Sequence, residues 1–231
     1  MYDVTMLKIK QNNNGFTLIE MSIVLVIIGL IVSGIVVGKD LIRATEIQSV
    51  ITDFNKYSIA IEQFDDQYQS LPGDMPDATT YWPGIGGGGN GNGDRMVNSM
   101  HEQVRFWQQL SLSKIIPGLY DGTSTSSSLI PGVNVPKARM KGANFSVYYY
   151  GDGSGRTHDV GGNYIRLGGS TVTPAESLKI DKALDNGVPI SGKIIGANRG
   201  GGLCCVDNCN RSTYNLSEKR KSCQPFLRFG E

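Results

Sequence analysis

The chain has 231 residues, with 22 basic and 21 acidic side chains and a net charge of +1, enough for one ordinary domain plus a long helix. Bulk charge therefore argues against a polyanion binder and against an acidic tail. Glycine is abundant at 30 residues without a collagen period or a low-complexity tract, and all four cysteines fall between 204 and 223.

Residues 1–15 are short and polar, carry Lys8 and Lys10, and end in Gly15. Residues 16–37 are almost wholly apolar, and Glu20 is the only charge between Gly15 and Lys39. About 20 such residues span a bilayer as a helix. A carboxylate inside such a segment is costly, so its presence points to a function and a partner. In an ordinary secretory signal the small residue follows the apolar core; here it precedes it. Cutting after Gly15 would remove the polar leader, keep the apolar helix on the mature chain and free an amine on Phe16, four residues from Glu20. With the basic leader inside, everything after residue 37 lies outside. That side of the membrane permits disulfides.

The string Gly15-Phe16-Thr17-Leu18-Ile19-Glu20, with its leader and apolar run, closely resembles the processing site of type IV prepilins and type II secretion pseudopilins. The resemblance implies that a prepilin peptidase cuts between Gly15 and Phe16 and N-methylates Phe16, and that Glu20 guides subunit docking. It implies a single-pass protein of the bacterial inner membrane, assembled by a membrane platform with other pilins into a cell-surface or periplasmic filament. Residues 16–38 would be the transmembrane and filament-core helix. Val37 departs from the pattern, standing where many pilins and pseudopilins have a helix-breaking proline. The helix is thus expected to stay continuous or to loosen at Gly34 and Gly38.

Gly34 and Gly38 form a G-x-x-x-G spacing, and Gly29 and Ser33 are also small. Small residues let helices approach closely in a membrane, so Gly29, Gly34 and Gly38 are candidate packing positions. Residues 39–71 continue the helix as its amphipathic half. Ile47, Val50, Ile51, Phe54, Tyr57, Ile61, Phe64 and Tyr68 recur at three- and four-residue spacings. Pro72-Gly73 ends it. A helix of about fifty residues is roughly 80 Å long.

Residues 72–231 read as a globular α+β head with a disulfide-bonded C-terminal region. The Pro- and Gly-rich stretch after Leu71 reads as a loop excursion. Met100, Val104, Trp107 and Leu110 predict a short helix ending near Ile116-Pro117-Gly118, and Thr123 to Ser128 a surface loop. Strands are expected over 145–150, 164–167, 193–197 and 225–229. Between the second and third, Thr173 as N-cap, Pro174 in the first turn, Glu176 completing a capping box and closing Gly187 mark a helix. A long helix followed by strands and short helices gives the α+β class, with the helix packed on an antiparallel sheet as in pilins.

Chemistry-bearing patterns are sparse. The glycines of 86–93 lack the Lys of a phosphate loop. Asn90-Gly91-Asn92-Gly93-Asp94 resembles alternating calcium ligands, but Arg95 replaces the turn glycine and Glu102 falls one residue late, so a mobile loop is expected. His101 and His158 have no metal-binding spacing, and no nucleophile motif appears, so no enzyme, cofactor or metal is expected. Cys204, Cys205, Cys209 and Cys223 read as disulfides rather than zinc ligands, with Cys204 and Cys205 each bonded to Cys209 or Cys223. Residues 193–231 are locally basic, which suits a solvated face, an acidic neighbouring subunit, or DNA. The function expected is a structural pilin or minor pilin. The alternatives are a type II secretion pseudopilin and a DNA-binding competence pilin.

Overall fold

The computed structural model describes residues 15–85, 89–123, 129–151, 161–169, 172–198, 203–206 and 213–230. The chain divides into two units, residues 1–44 and 45–231, and helix α1, Leu18–Tyr68, contributes to both.

In the first unit α1 is helical without interruption through Gly34, Val37 and Gly38. Val37 keeps the amide that a proline would lack, so the expectation of a continuous helix holds over that of a loosened one. Its side chains are exposed on every face, Leu18 at 92%, Leu25 at 69% and Val37 at 68%. The helix is long and apolar enough to cross a membrane by length and composition.

The second unit holds the core. Ile47, Val50, Ile51, Phe54, Tyr57, Ile61 and Phe64 of α1 are buried, joined by Ala60, while Tyr68 is half-buried. The predicted seam is therefore the buried face. α1 stops at Tyr68, short of Pro72, because Gln69 turns left-handed at φ 53°. Its amide donates to Asp65 O at 2.8 Å and its Nε2 to Asp66 O at 3.0 Å, satisfying carbonyls the helix leaves open.

Four strands, β1 Asn144–Tyr150, β2 Gly162–Gly168, β3 Ile194–Asn198 and β4 Cys223–Phe229, form an antiparallel sheet in the order β1-β2-β4-β3. The register sets Val147 opposite Ile165, and Ile165 and Ile194 both opposite Leu227. Alternation puts Phe145, Val147, Ile165, Leu167, Ile194, Leu227 and Phe229 in the core shared with α1. The other face carries a smaller cluster of Tyr164, Ile195, Ala197 and Phe226, with Tyr150 against it.

Edge-on aromatic pairs fix α1 to the sheet. Phe54 meets Phe145 at 5.5 Å, and Tyr57 meets Phe145 at 5.1 Å and Trp107 at 4.8 Å. Each such pair contributes ~1 kcal/mol beyond its buried area. Trp107 comes from α3, Met100–Leu112, which opens with a capping box between Ser99 and Glu102. α4, Pro174–Leu184, has the predicted Thr173–Glu176 box. A one-turn helix, α2 (Ala78–Tyr81), lies within the stretch read as loop.

That stretch is tied down. Gly73 has φ +85°, and a side chain there would collide with the Phe106 backbone of α3. Its amide donates to Gln109 Oε1 at 2.6 Å. The buried Asp74 carboxylate accepts from the Gly93 amide at 2.8 Å and the Arg95 amide at 2.6 Å. Burial raises the Asp74 carboxyl above its ordinary value, and those two amides oppose the rise. Arg95 in turn grips Asp65 of α1 through both terminal nitrogens, at 3.1 and 2.7 Å.

Candidate functional site

The expected processing and assembly residues sit together at the start of α1. No atom crowds the space beside Gly15, and Phe16 is 79% exposed. The Thr17 amide and hydroxyl donate to Glu20 Oε2 at 2.8 and 2.7 Å, and the Glu20 amide donates back to Thr17 Oγ1 at 3.3 Å. This is a capping box that satisfies helix-end amides otherwise left open. The charge that looks misplaced in the sequence thus already has a local partner. Sequence reasoning passed over Thr17, although Thr17-Leu18-Ile19-Glu20 has the S/T-x-x-E spacing of such a box.

Farther along α1, Gly34 and Gly38 are one turn apart on one face, and Gly29 and Ser33 are so placed on a different face. None of the three glycines has a neighbouring atom where a side chain would go. Nothing in the first unit's own packing therefore requires glycine there.

Cys204 and Cys223 are bonded, with Cα atoms 4.8 Å apart. Cys205 is disulfide-bonded too, and Cys209 lies outside the described residues. Cys205 bridges to Tyr214, whose hydroxyl donates to Asp181 Oδ2 of α4 at 2.8 Å. The Gly187 amide donates to Asp181 Oδ1 at 2.8 Å. Burial pushes the fully enclosed Asp181 carboxyl up, with both hydrogen bonds working against the rise.

The oxygens that suggested calcium hold backbone instead. Asn90 Oδ1 accepts from the Thr79 amide at 2.9 Å and Asn92 Oδ1 from the Asp94 amide at 3.1 Å. Among the described residues no three His, Cys, Asp or Glu side chains are placed to hold a metal. His101 is exposed on α3, and His158 lies outside the described residues, as do Arg199 and Arg211. Of the other C-terminal cations, Arg220 is paired with Glu218 at 2.7 Å, Lys219 donates to Leu216 O at 3.2 Å, and Lys193 is 3.9 Å from Glu62. Arg228 donates to Gly161 O at 3.2 Å. A cleft of about 460 Å³ beside α1 contains Glu62, Asp65, Asp185, Lys193 and Arg228. Its acids are engaged by Lys193, Arg95 and the Lys193 and Ile194 amides, so no reactive pair converges there.

Against known proteins, residues 10–36 match the family model described as the prokaryotic N-terminal methylation motif. The match supports the resemblance of this N terminus to those of type IV prepilins and pseudopilins. No curated protein and no solved structure matched the chain. The matched stretch contains Gly15, Phe16, Glu20, Gly29 and Gly34 and ends before Val37. The α+β fold, a long N-terminal helix, apolar in its first half, and a C-terminal antiparallel sheet, is consistent with that of a pilin. The prepilin-type motif supports a structural subunit made as a membrane-anchored precursor, and it implies peptidase processing and assembly with other pilins.

Proposed function

We propose that this chain is a pilin or minor pilin of a type IV pilus-like filament, cut after Gly15, N-methylated on Phe16 and assembled by packing of α1 against the helices of neighbouring subunits. The observation that carries this reading is the methylation motif at the head of an uncovered apolar helix, with its single carboxylate four residues from Phe16. Within a filament core the mature Phe16 ammonium of a neighbour is the natural partner for Glu20, because the pair removes two isolated charges from an apolar surrounding. Gly34 and Gly38, which fill no role in their own unit, suit close helix approach. The head closes its C-terminal region with disulfides, as an extracytoplasmic domain can. No catalytic step is assigned to the chain.

A type II secretion pseudopilin shares every one of these features, and the genes beside this one separate the two. The competence-pilin reading has less behind it, since Arg220 is already paired with Glu218.

The capping box makes the test of Glu20 clean. Glu20→Gln keeps a side chain that can cap at the same position, but loses the charge. Tagged mutant and wild type are co-expressed, filaments are sheared off, and the mutant share is measured by blot. A lost charge-assisted bond of ~2 kcal/mol predicts at least a tenfold fall in Glu20→Gln incorporation. Membrane insertion and the head should be unaffected, because the core begins at Ile47. Incorporation at the wild-type level would remove Glu20 from the assembly mechanism.

A further inference from the structure

The cleft beside α1 lies where the start of β3 and the end of β4 meet that helix. Its volume of about 460 Å³ falls within the roughly 300–1,000 Å³ usual for small-ligand sites. Its apolar lining comes from Ile61, Leu71 and Phe229, all buried, which form the floor. Its two walls carry opposite charge. The α1 wall presents Glu62 and Asp65, and the strand wall presents Lys193 and Arg228. Asp185 lies on the strand side too, but its Oδ2 is taken by the Lys193 and Ile194 amides at 2.5 and 3.2 Å.

The two groups with least to hold them are the most open. The Glu62 and Lys193 side chains are 67% and 64% exposed, and Lys193 Nζ is 3.9 Å from Glu62 Oε1, beyond hydrogen-bond reach. An exposed pair at that separation is weak, so either group is available to another partner. The walls behind them are fixed. Arg95 holds Asp65 through both terminal nitrogens, and Asp185 sets the Lys193 backbone. Gly192, at φ +83°, leaves no room for a side chain against the Asp185 carboxylate. A preformed pocket loses little freedom on binding.

Charge decides the class of ligand. Glu62, Asp65 and Asp185 are balanced by Lys193, Arg228 and the Arg95 that holds Asp65. A balanced site has no net attraction for a phosphate or a polyamine, whereas separated charges attract a molecule that carries both signs. In an α-amino acid the ammonium nitrogen and the carboxylate oxygens are about 3 Å apart. That spacing is close to the 3.9 Å between Lys193 Nζ and Glu62 Oε1. With the ligand ammonium on Glu62 and its carboxylate on Lys193, the four charges alternate in sign around a quadrilateral, and every adjacent pair attracts. An apolar side chain on the ligand would cover the floor of Ile61, Leu71 and Phe229.

We propose that this cleft binds a free α-amino acid with an apolar side chain, its ammonium held by Glu62 and its carboxylate by Lys193. The site does not depend on the filament reading.

The test uses the full-length chain, nitrogen-15-labelled and held in detergent micelles, with L-leucine as the probe. The Lys193 and Gly230 backbone amides, both at the cleft, are followed by NMR. Leucinamide and 4-methylpentanoate have the same apolar body with one charge each, and glycine has both charges without the body. Leucine should move both resonances to saturation, and each comparator should bind about tenfold more weakly or worse. No saturable movement with leucine overturns the proposal. Equal binding of leucinamide or 4-methylpentanoate overturns recognition through two charges, and equal binding of glycine overturns the role of the apolar floor. Glu62→Gln and Lys193→Met alter exposed side chains, so the melting temperature should hold while leucine affinity falls about tenfold in each. Wild-type affinity in either folded variant overturns the placement of that end of the ligand. Should a variant fail to fold, the wild-type titrations decide by themselves.

Discussion

Removing the Cys204–Cys223 disulfide by the double change to alanine should destabilise the head by about 3 kcal/mol. The bond closes a loop with a sequence separation of 19. The chain-entropy relation for a closed loop of that length gives about 3 kcal/mol at room temperature. Native packing should change little, because the two cysteines sit where other contacts already hold them. Cys223 pairs with Asn198 in the sheet, the Cys204 amide donates to Asn198 Oδ1 at 2.8 Å, and the Cys204 carbonyl accepts from the Asn215 amide at 2.9 Å. The loss is thus placed in the unfolded state, which gains conformations when the loop opens. The assay is equilibrium urea unfolding of the oxidised chain, followed by tryptophan fluorescence, since Trp107 is fully buried in the core. The variant should unfold at lower urea with a steeper slope, because an uncrosslinked chain exposes more surface. An unfolding free energy in water within ~0.5 kcal/mol of wild type, or a variant that loses its sheet in the absence of urea, would refute the reasoning. The first result would mean the loop is already constrained when unfolded; the second, that the bond holds native structure directly.

Mass spectrometry of mature protein should find N-methylated Phe16 as its first residue, and Gly15→Leu should leave full-length precursor in the membrane; a mature chain retaining residues 1–15 in cells with active prepilin peptidase contradicts the processing site. The buried Asp181 carboxyl has a folded pKa above its unfolded one, so its stabilising contribution is complete below the unfolded value and is lost as pH rises through the folded value. Asp181→Asn keeps an acceptor for the Gly187 amide and stays neutral. Its melting temperature relative to wild type should therefore climb from acid to neutral pH, and a difference that shrinks over that range would show the sign to be wrong. Asp53 and Asp74 are shifted in the same direction, so only the variant-minus-wild-type difference isolates Asp181.

Local chemistry determined a good deal of this protein by itself. The three- and four-residue spacing from Ile47 to Phe64 marks the buried face of α1, because a helix facing a sheet must be apolar on that side. Each expected strand is found, within a few residues at its ends, because short runs of branched and aromatic side chains between glycines suit a pleated, half-covered surface. The α4 box was legible because Thr173 and Glu176 cap each other within four residues. Thr17 and Glu20 have the same spacing and cap each other in the same way, so that box too is local.

Tertiary structure decided whatever depended on partners distant in sequence. That Cys204 rather than Cys205 bonds Cys223 follows from the β3–β4 register, which brings the chain after Asn198 beside the start of β4. The stretch after Leu71 is anchored because Asp74 receives amides from residues 19 and 21 positions away, and no local pattern announces such a contact. That Arg105 of α3 is buried, 8% exposed, with hydrogen bonds to the Ile85 carbonyl oxygen and Gln108 Oε1, was invisible in the sequence for the same reason. Charge can be counted along a chain, but whether a cation has an anion beside it depends on which elements fold against it, and here α3, Ile85 and Gln108 bring only neutral acceptors.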